Sequence, residues 1–393
     1  MKKRELHIGV IGAGGRGGLA AYAHQPEKGV RIVAGADVNP KAFGPFRECF
    51  GDDAFCTSDY RELLKRDDIR AVFITSPDFF HEEHALAVLE AGKAVYLEKP
   101  MAITIEGCDR ILKAAYRSKL RLMLGHNMRY MRLIRKMRDI IKSGAIGEVK
   151  AGWCRHFVSY GGDAYFKDWH AERRKATSLL LQKGAHDIDV LHWLCGGYTR
   201  RVNAMGNLTV YNRVKDRHAK SERGDASCSM SYWPPLSQKG LNPVIDVEDL
   251  SMMLMELDNG VLCSYQQCHY TPDAWRNYTI IGTEGRIENF GDEPGKCVIR
   301  VWNRRSNYNP YGNEQHFIPD VGGSHGGADP QIARAFADYV RFGKKILTSP
   351  VAARNSVAAG CMAAASLRHG GKPMDIPPLP KKIADYFQKD VAE

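Results

Sequence analysis

Three glycines, an aspartate, a lysine and a histidine have the residue types and spacing from which a reaction could be built. Gly12, Gly14 and Gly17 spell G-x-G-x-x-G inside the stretch HIGVIGAGGRGG, residues 7–18. In that pattern Gly12 makes the tight turn, Gly14 lets bare backbone approach a pyrophosphate, and Gly17 lets the next helix pack against its strand. The helix N-terminus then offers N–H groups and partial positive charge to the phosphates. Asp37 ends a second apolar run, Arg31–Ala36, and stands twenty residues past Gly17, where a carboxylate reads the adenosine ribose hydroxyls. Such a carboxylate repels a ribose 2′-phosphate, so the pattern favours NAD over NADP. Oxidising a carbinol beside a nicotinamide further requires a base for the hydroxyl proton and a cation for the developing alkoxide. His186, with an unperturbed pKa near neutrality, suits the first role, and Lys99, followed by the rigid Pro100, suits the second. Taken alone, His186 reads as a core histidine and Lys99 as a surface lysine; their joint placement is what points to chemistry.

The elements that must position these residues follow from periodicity. Apolar runs at Ile8–Ile11, Arg31–Ala36, Ala71–Pro77, Ala94–Pro100 and Arg121–Gly125 read as strands, and His81–Glu90 and Thr104–Arg117 as helices between them. Ser58–Leu64 reads as a short capped helix, with Asp59 and Glu62 three apart. This alternation predicts a doubly wound parallel sheet, with ligands beyond the carboxyl ends of its strands. Asp37, Ser76-Pro77, Glu98-Lys99-Pro100 and His126-Asn127 then lie along one crevice. Tyr130–Lys142 reads as a core helix with a solvated basic face. From Glu148 onward strands dominate, at 149–158, 202–211, 250–257, 261–270, 278–282 and 298–302, with a hairpin signal at Asp258-Asn259-Gly260. The expected architecture is therefore α/β: an N-terminal Rossmann domain over 1–127, and a C-terminal α+β domain over 128–393 with an open, largely antiparallel sheet. Residues 211–247, charged and rich in Gly and Pro, read as a long surface excursion. One helix over Ser178–Leu194 interrupts the sheet and places Gln182, His186 and Asp189 on a common face. Helices over 330–341 and 351–367 close the chain.

Composition narrows the classes. A chain of 393 residues with 44% hydrophobic and 26% charged residues is of globular type and long enough for two cores. No apolar run reaches the ~18 residues of a membrane span, and the basic-then-apolar N-terminus is too short in its apolar part for a signal peptide. Ten cysteines scattered singly suggest reduced thiols and a cytoplasmic setting, and no metal-ligating cluster is read. The net charge of +11 is spread among acids and lacks a nucleic-acid motif; it fits a solvated surface or a few arginines serving an anionic substrate.

Gly12-x-Gly14-x-x-Gly17, Thr75-Ser76-Pro77 with His81, Glu98-Lys99-Pro100, Asn127 and Gly184-x-His186-x-x-Asp189 together resemble the glucose-fructose oxidoreductase, inositol dehydrogenase and MocA (Gfo/Idh/MocA) family. The likeness extends to Gly282-Thr-Glu-Gly285 and His325-Gly-Gly-Ala-Asp329. It implies hydride transfer between NAD and a carbon of a sugar, anhydrosugar or cyclitol, with Lys99 and His186 as the catalytic pair. It also implies that Ser76, Pro77, His81, Glu98 and Asn127 line the cofactor, and that the open sheet carries subunit contacts in a homodimer or homotetramer. One departure stands out: many members carry an aspartate four residues before the histidine, where this chain has Gln182. Trp169, His170 and Arg173, together with Gln182 and Asp189, are the expected substrate contacts. Two enzyme classes stay open, a dehydrogenase that releases NADH and a redox-neutral glycoside hydrolase that oxidises its substrate only transiently, on an anionic glycoside for instance. A ligand-binding regulator without catalysis is a third.

Overall fold

The computed structural model describes residues 5–222, 224, 226–227, 231–320 and 322–392. The chain divides into two compact units, one of Met1–Met131, Gly322–Arg354 and Pro378–Glu393, the other of Arg132–Val321 and Asn355–Pro377. Sequence pattern alone suggests a single boundary after residue 127, because nothing local marks the return of late segments to the first unit.

The first unit holds a parallel sheet of β1 (Leu6–Ile11), β2 (Val30–Ala36), β3 (Phe55–Thr57), β4 (Ile69–Ile74), β5 (Ala94–Leu97) and β6 (Leu122–Leu124), in the order β3-β2-β1-β4-β5-β6. Ala71–Ile74 are fully buried, as expected of a strand covered on both faces. Helices α1 (Phe43–Phe50), α2 (Tyr60–Leu64), α3 (His81–Glu90) and α4 (Ile105–Ser118) alternate with the strands. Asp59 caps α2 by accepting from the Arg61 N–H, and Thr104 caps α4 by accepting from the Gly107 N–H. Register levels the strand ends: Ile11 pairs with Ala36 and Ile74, and Leu97 with Ile74 and Leu124. The loops after β1, β2, β4, β5 and β6 therefore leave the sheet side by side. The segment after the glycine turn, Gly15–Tyr22, is a 3-10 helix. Its three glycines are poor α-helix formers, and the Gly17 N–H bonds to the Gly14 carbonyl at 2.9 Å, an i to i+3 link.

The second unit is built on a nine-stranded sheet. Its strands are β7 (Val149–Phe157), β8 (Thr199–Asn207), β9 (Leu250–Leu257), β10 (Leu262–Cys268), β11 (Trp275–Gly282), β12 (Arg286–Phe290), β13 (Val298–Trp302), β14 (Glu314–Phe317) and β15 (Met374–Asp375). They run in the order β14-β13-β12-β11-β7-β10-β9-β8-β15, antiparallel except for the central β7 and β10. Ahead of the sheet comes α5 (Arg132–Lys142), and between β7 and β8 come α6 (Gly161–Tyr165), α7 (Arg173–Ala176), α8 (Leu179–Gln182) and α9 (Gly184–Cys195). The expected single helix over Ser178–Leu194 is thus two, joined at Lys183, with a weak helix former, Gly184, at the joint. Close approach explains that glycine: a Cβ there would stand 3.1 Å from the Tyr265 ring on β10.

The late helices are α10 (Ser324–Phe342) and α12 (Lys381–Gln388) in the first unit and α11 (Pro350–Arg368), which begins in the first and ends in the second. Most described residues of 211–247 are exposed or half-exposed, but a few of their side chains are anchored in a core. Tyr211, Val214, Leu241 and Val247 are buried with Val158, Tyr165, Phe166, Ala171 and Leu179 in one apolar cluster. Polar composition obscured this, because the buried positions are isolated and follow no helical or strand period. Arg223, Asp225 and 228–230 of that stretch lie outside the described residues.

Candidate functional site

In the first unit the glycine turn sits between two strand ends. The Gly12 N–H donates to the Ala36 carbonyl at 2.8 Å, and the Thr75 hydroxyl donates to the Gly12 carbonyl at 2.8 Å. Gly12 has φ +87°, and a Cβ on it would lie 2.7 Å from the Ser76 nitrogen. A Cβ on Gly17 would lie 2.4 Å from the Gly12 carbonyl oxygen, whereas the corresponding direction at Gly15 and Gly18 is open. Side chains are thus excluded from the turn while space remains above it, as a pyrophosphate requires.

Asp37 follows β2 and is half-exposed. One carboxylate oxygen accepts from the Gly14 N–H at 2.9 Å, the other from the Asn39 N–H at 2.9 Å. The carboxylate is therefore fixed at the rim of the turn, in a position to receive hydroxyl donors.

Beyond β4, β5 and β6 the predicted residues divide by role. Ser76 and Pro77 are half-exposed. His81 is fully buried, with Nδ1 2.6 Å from the Pro100 carbonyl and Nε2 2.9 Å from the Ser76 carbonyl. Burial pushes its pKa down, against the pull of those two acceptors. With both nitrogens against backbone carbonyls, His81 sits between the loop after β4 and the loop after β5. His84, one turn on, was not foreseen. Its Nδ1 lies 2.8 Å from the Ser76 Oγ, its ring stacks on Phe80, and burial lowers its pKa to about 4.

Glu98 is also buried and already engaged: it accepts from Arg16 Nε at 2.8 Å and from the Lys99 N–H at 3.0 Å. Arg16, an unspecified position in the glycine motif, also donates to both carboxylate oxygens of Asp329, at 2.7 and 3.0 Å. Asn127 joins the same group by donating to Asp329 at 2.8 Å. Its own amide oxygen is buried and, among the described residues, accepts no hydrogen bond. An orphaned acceptor of this kind fits a ligand that brings N–H or O–H donors, as a nicotinamide dinucleotide does. Lys99 is half-buried at the end of β5.

In the second unit Gln182, His186 and Asp189 are all buried, Gln182 at the end of α8 and the other two on α9. Asp187, not foreseen, anchors α9. Its carboxylate accepts from His156 Nδ1 on β7 at 2.9 Å, from the Tyr265 hydroxyl on β10 at 2.9 Å, and from Arg276 Nε at 2.8 Å and the Tyr278 hydroxyl on β11. Burial opposes its ionisation, but Arg276 and the hydrogen bonds from His156 and Tyr278 hold the carboxyl far below the usual range. The residue before it, His186, is thereby carried on a helix end pinned to three strands. Trp169 and His170 are half-buried with their rings stacked at 3.7 Å. Arg173 is exposed and committed to Glu248 at 3.0 Å. Among the described residues no group of His, Cys, Asp and Glu is placed to hold a metal ion, and no helix is long and apolar enough to cross a membrane.

Residues 6–126 match the family described as an oxidoreductase family with an NAD-binding Rossmann fold, and residues 134–288 match the GFO/IDH/MocA C-terminal domain. YteT of Bacillus subtilis (strain 168) is 26% identical over 339 residues, 75% of this chain and 79% of that protein. The inositol 2-dehydrogenase of Serratia proteamaculans (strain 568) is 35% identical over 192 residues, 48% of this chain and 54% of its own length, so the match spans about half of that relative. A solved levoglucosan dehydrogenase in complex with NADH and levoglucosan shares the fold, with a TM-score of 0.77, 22% identity, and coverage of 95% of this chain and all of that one.

Proposed function

The chain belongs to the Gfo/Idh/MocA family of NAD-binding oxidoreductases, and from that premise we propose that it dehydrogenates a carbinol of a sugar, anhydrosugar or cyclitol. One observation carries the reading: the side-chain-free turn after β1 and the Asp37 carboxylate after β2 are locked together through the Gly14 N–H, which makes a rim for a ribose that bears no 2′-phosphate. Gly12, Gly14, Gly17 and Asp37 would hold the dinucleotide, with Ser76, Pro77 and Asn127 at the neighbouring strand ends. Glu98 acts by fixing Arg16 and the start of the Lys99 loop. When bound, NAD supplies the acceptor for the hydride that leaves the carbinol carbon.

In this reading His186 takes the hydroxyl proton and Lys99 stabilises the alkoxide charge as it develops. Asp187 holds the helix end that carries His186. Trp169 and His170 offer a flat ring surface to a sugar, with Gln182 and Asp189 as polar contacts. Gln182 is an amide and takes up no proton, so the acid-base work falls to Lys99 and His186. We also assign the open sheet face to contact between copies of this chain, because Met205, Met252, Leu254 and Leu262 are exposed on the adjacent strands β8, β9 and β10. Light scattering should then report a dimer or tetramer, and a monomer would remove that assignment.

The test of function is to incubate the protein with NAD and a panel of sugars, cyclitols and glycosides. NADH formed in step with oxidised product supports the dehydrogenase. Sugar released from a glycoside with no net NADH would replace it by the redox-neutral hydrolase, and tight NAD binding with no turnover would replace both by a sensor.

A further inference from the structure

We propose that the second unit binds a negatively charged substituent of its sugar through Lys183, so that the preferred substrate is an acidic sugar. The inference rests on the reading of His186 as facing substrate and adds the class of substrate.

Lys183 is the joint between α8 and α9 and is only 8% exposed. Its ammonium lies 3.3 Å from the Tyr160 hydroxyl and 5.5 and 5.3 Å from the ring centres of Tyr160 and Tyr165. Its charge favours ionisation of the Tyr165 hydroxyl against the burial that disfavours it. Among the described residues no carboxylate lies within ion-pair distance of it. The nearby Asp187 is spent on Arg276, His156 and two tyrosines. Rings and hydroxyls soften the burial of a cation but do not neutralise it. Buried charges in folded proteins are normally paired, so this cluster lacks its anion.

A second observation points the same way. His269 is fully buried, its ring is 5.2 Å from that of Tyr165, and among the described residues neither ring nitrogen has a hydrogen-bond partner. Burial, with His156 and Lys183 nearby, holds it neutral, so it can supply one N–H to an anion or its water. Position links the cluster to chemistry. Lys183 and His186 are three apart, and side chains at that spacing on a helix stand roughly 5–6 Å apart at Cβ, about the width of a sugar ring. A ring whose hydroxyl meets His186 would therefore present a carboxylate, sulfate or phosphate on a neighbouring carbon to Lys183.

The test is calorimetric titration of the NAD-saturated full chain with D-glucuronate, D-glucose 6-phosphate and D-glucose, for the wild type, Lys183→Met and Lys183→Arg. The wild type should bind at least one of the two anionic sugars about tenfold or more tightly than glucose. Lys183→Met should abolish that preference while keeping NAD affinity and an equal or higher melting temperature, since a buried unpaired charge is replaced by an isosteric apolar stem. Lys183→Arg should retain most of the preference. Equal affinity for charged and neutral sugars, no binding of either, or a preference that survives Lys183→Met would overturn the proposal. If Lys183→Met does not fold, the wild-type comparison and Tyr160→Phe, expected to weaken only the anionic sugar, decide the matter. NADH formation from neutral cyclitols without anionic preference sinks this inference and leaves the dehydrogenase standing. Anionic preference without NADH from any sugar does the reverse.

Discussion

Arg16 and Asp329, 313 positions apart, form a two-pronged ion pair at 2.7 and 3.0 Å. Through it the N-terminal end of α10 clasps the glycine turn, and Asn127 and Glu98 are drawn into the same group. Burial disfavours the Asp329 charge, but hydrogen bonds from His325 and Arg16 outweigh it and hold the carboxyl far below its ordinary value. A depressed carboxylate stabilises the fold above its unfolded value near 3.8 and loses that contribution as pH falls below it. Asp329→Asn should therefore cost about 2–4 kcal/mol at neutral pH in urea unfolding. It should also flatten the acid limb of the stability curve below about pH 4. Wild-type stability in the variant would show that the pair is ornamental.

Lys99→Ala and His186→Ala should each lower turnover by more than ~100-fold while leaving NAD affinity within about twofold. Steady-state kinetics and cofactor titration separate the two effects. A variant with near-normal kcat would lose the role given to its residue.

Asp37→Ala removes the acceptor for the Gly14 and Asn39 N–H groups together with the charge at the ribose rim. The KM for NAD should rise about tenfold and the discrimination against NADP should fall. Unchanged preference would place the ribose elsewhere.

Two buried histidines set a second pH window. Burial brings His84 to about 4, and burial with Arg276 brings His156 to about 3 against the pull of Asp187. Both bind a proton more readily unfolded than folded. Their linkage lowers stability as pH falls from about 6.5, before the carboxylates respond. His84→Gln should flatten the fall between about pH 6.5 and 4 in thermal unfolding scans. A wild-type slope in that variant would assign the loss to other groups.

The strand, glycine turn and Asp37 unit was legible in sequence because its parts lie within one βαβ span, where turn geometry and strand alternation leave a local imprint. The strands of the second unit were legible for the same reason, except for β12, β14 and β15, which are short or carry charged residues. Gln182, His186 and Asp189 could be found from helical spacing, but the break at Lys183 could not, since it depends on how closely α9 approaches Tyr265.

Only the tertiary structure decided which groups Arg16, His81 and Asp187 engage. For His81 the resemblance implies a place beside the cofactor, and the fold sets both its ring nitrogens against backbone carbonyls. Asp187 gathers donors from β7, β10 and β11, at separations of 31 to 91 residues that no periodicity reports. Residues 211–247 read as solvent-exposed, yet their few apolar side chains close a core. Sequence patterns record what neighbours along the chain require of one another. Charge pairing and burial are set by neighbours in space, and these determine which polar residues are spent on structure and which remain for a ligand.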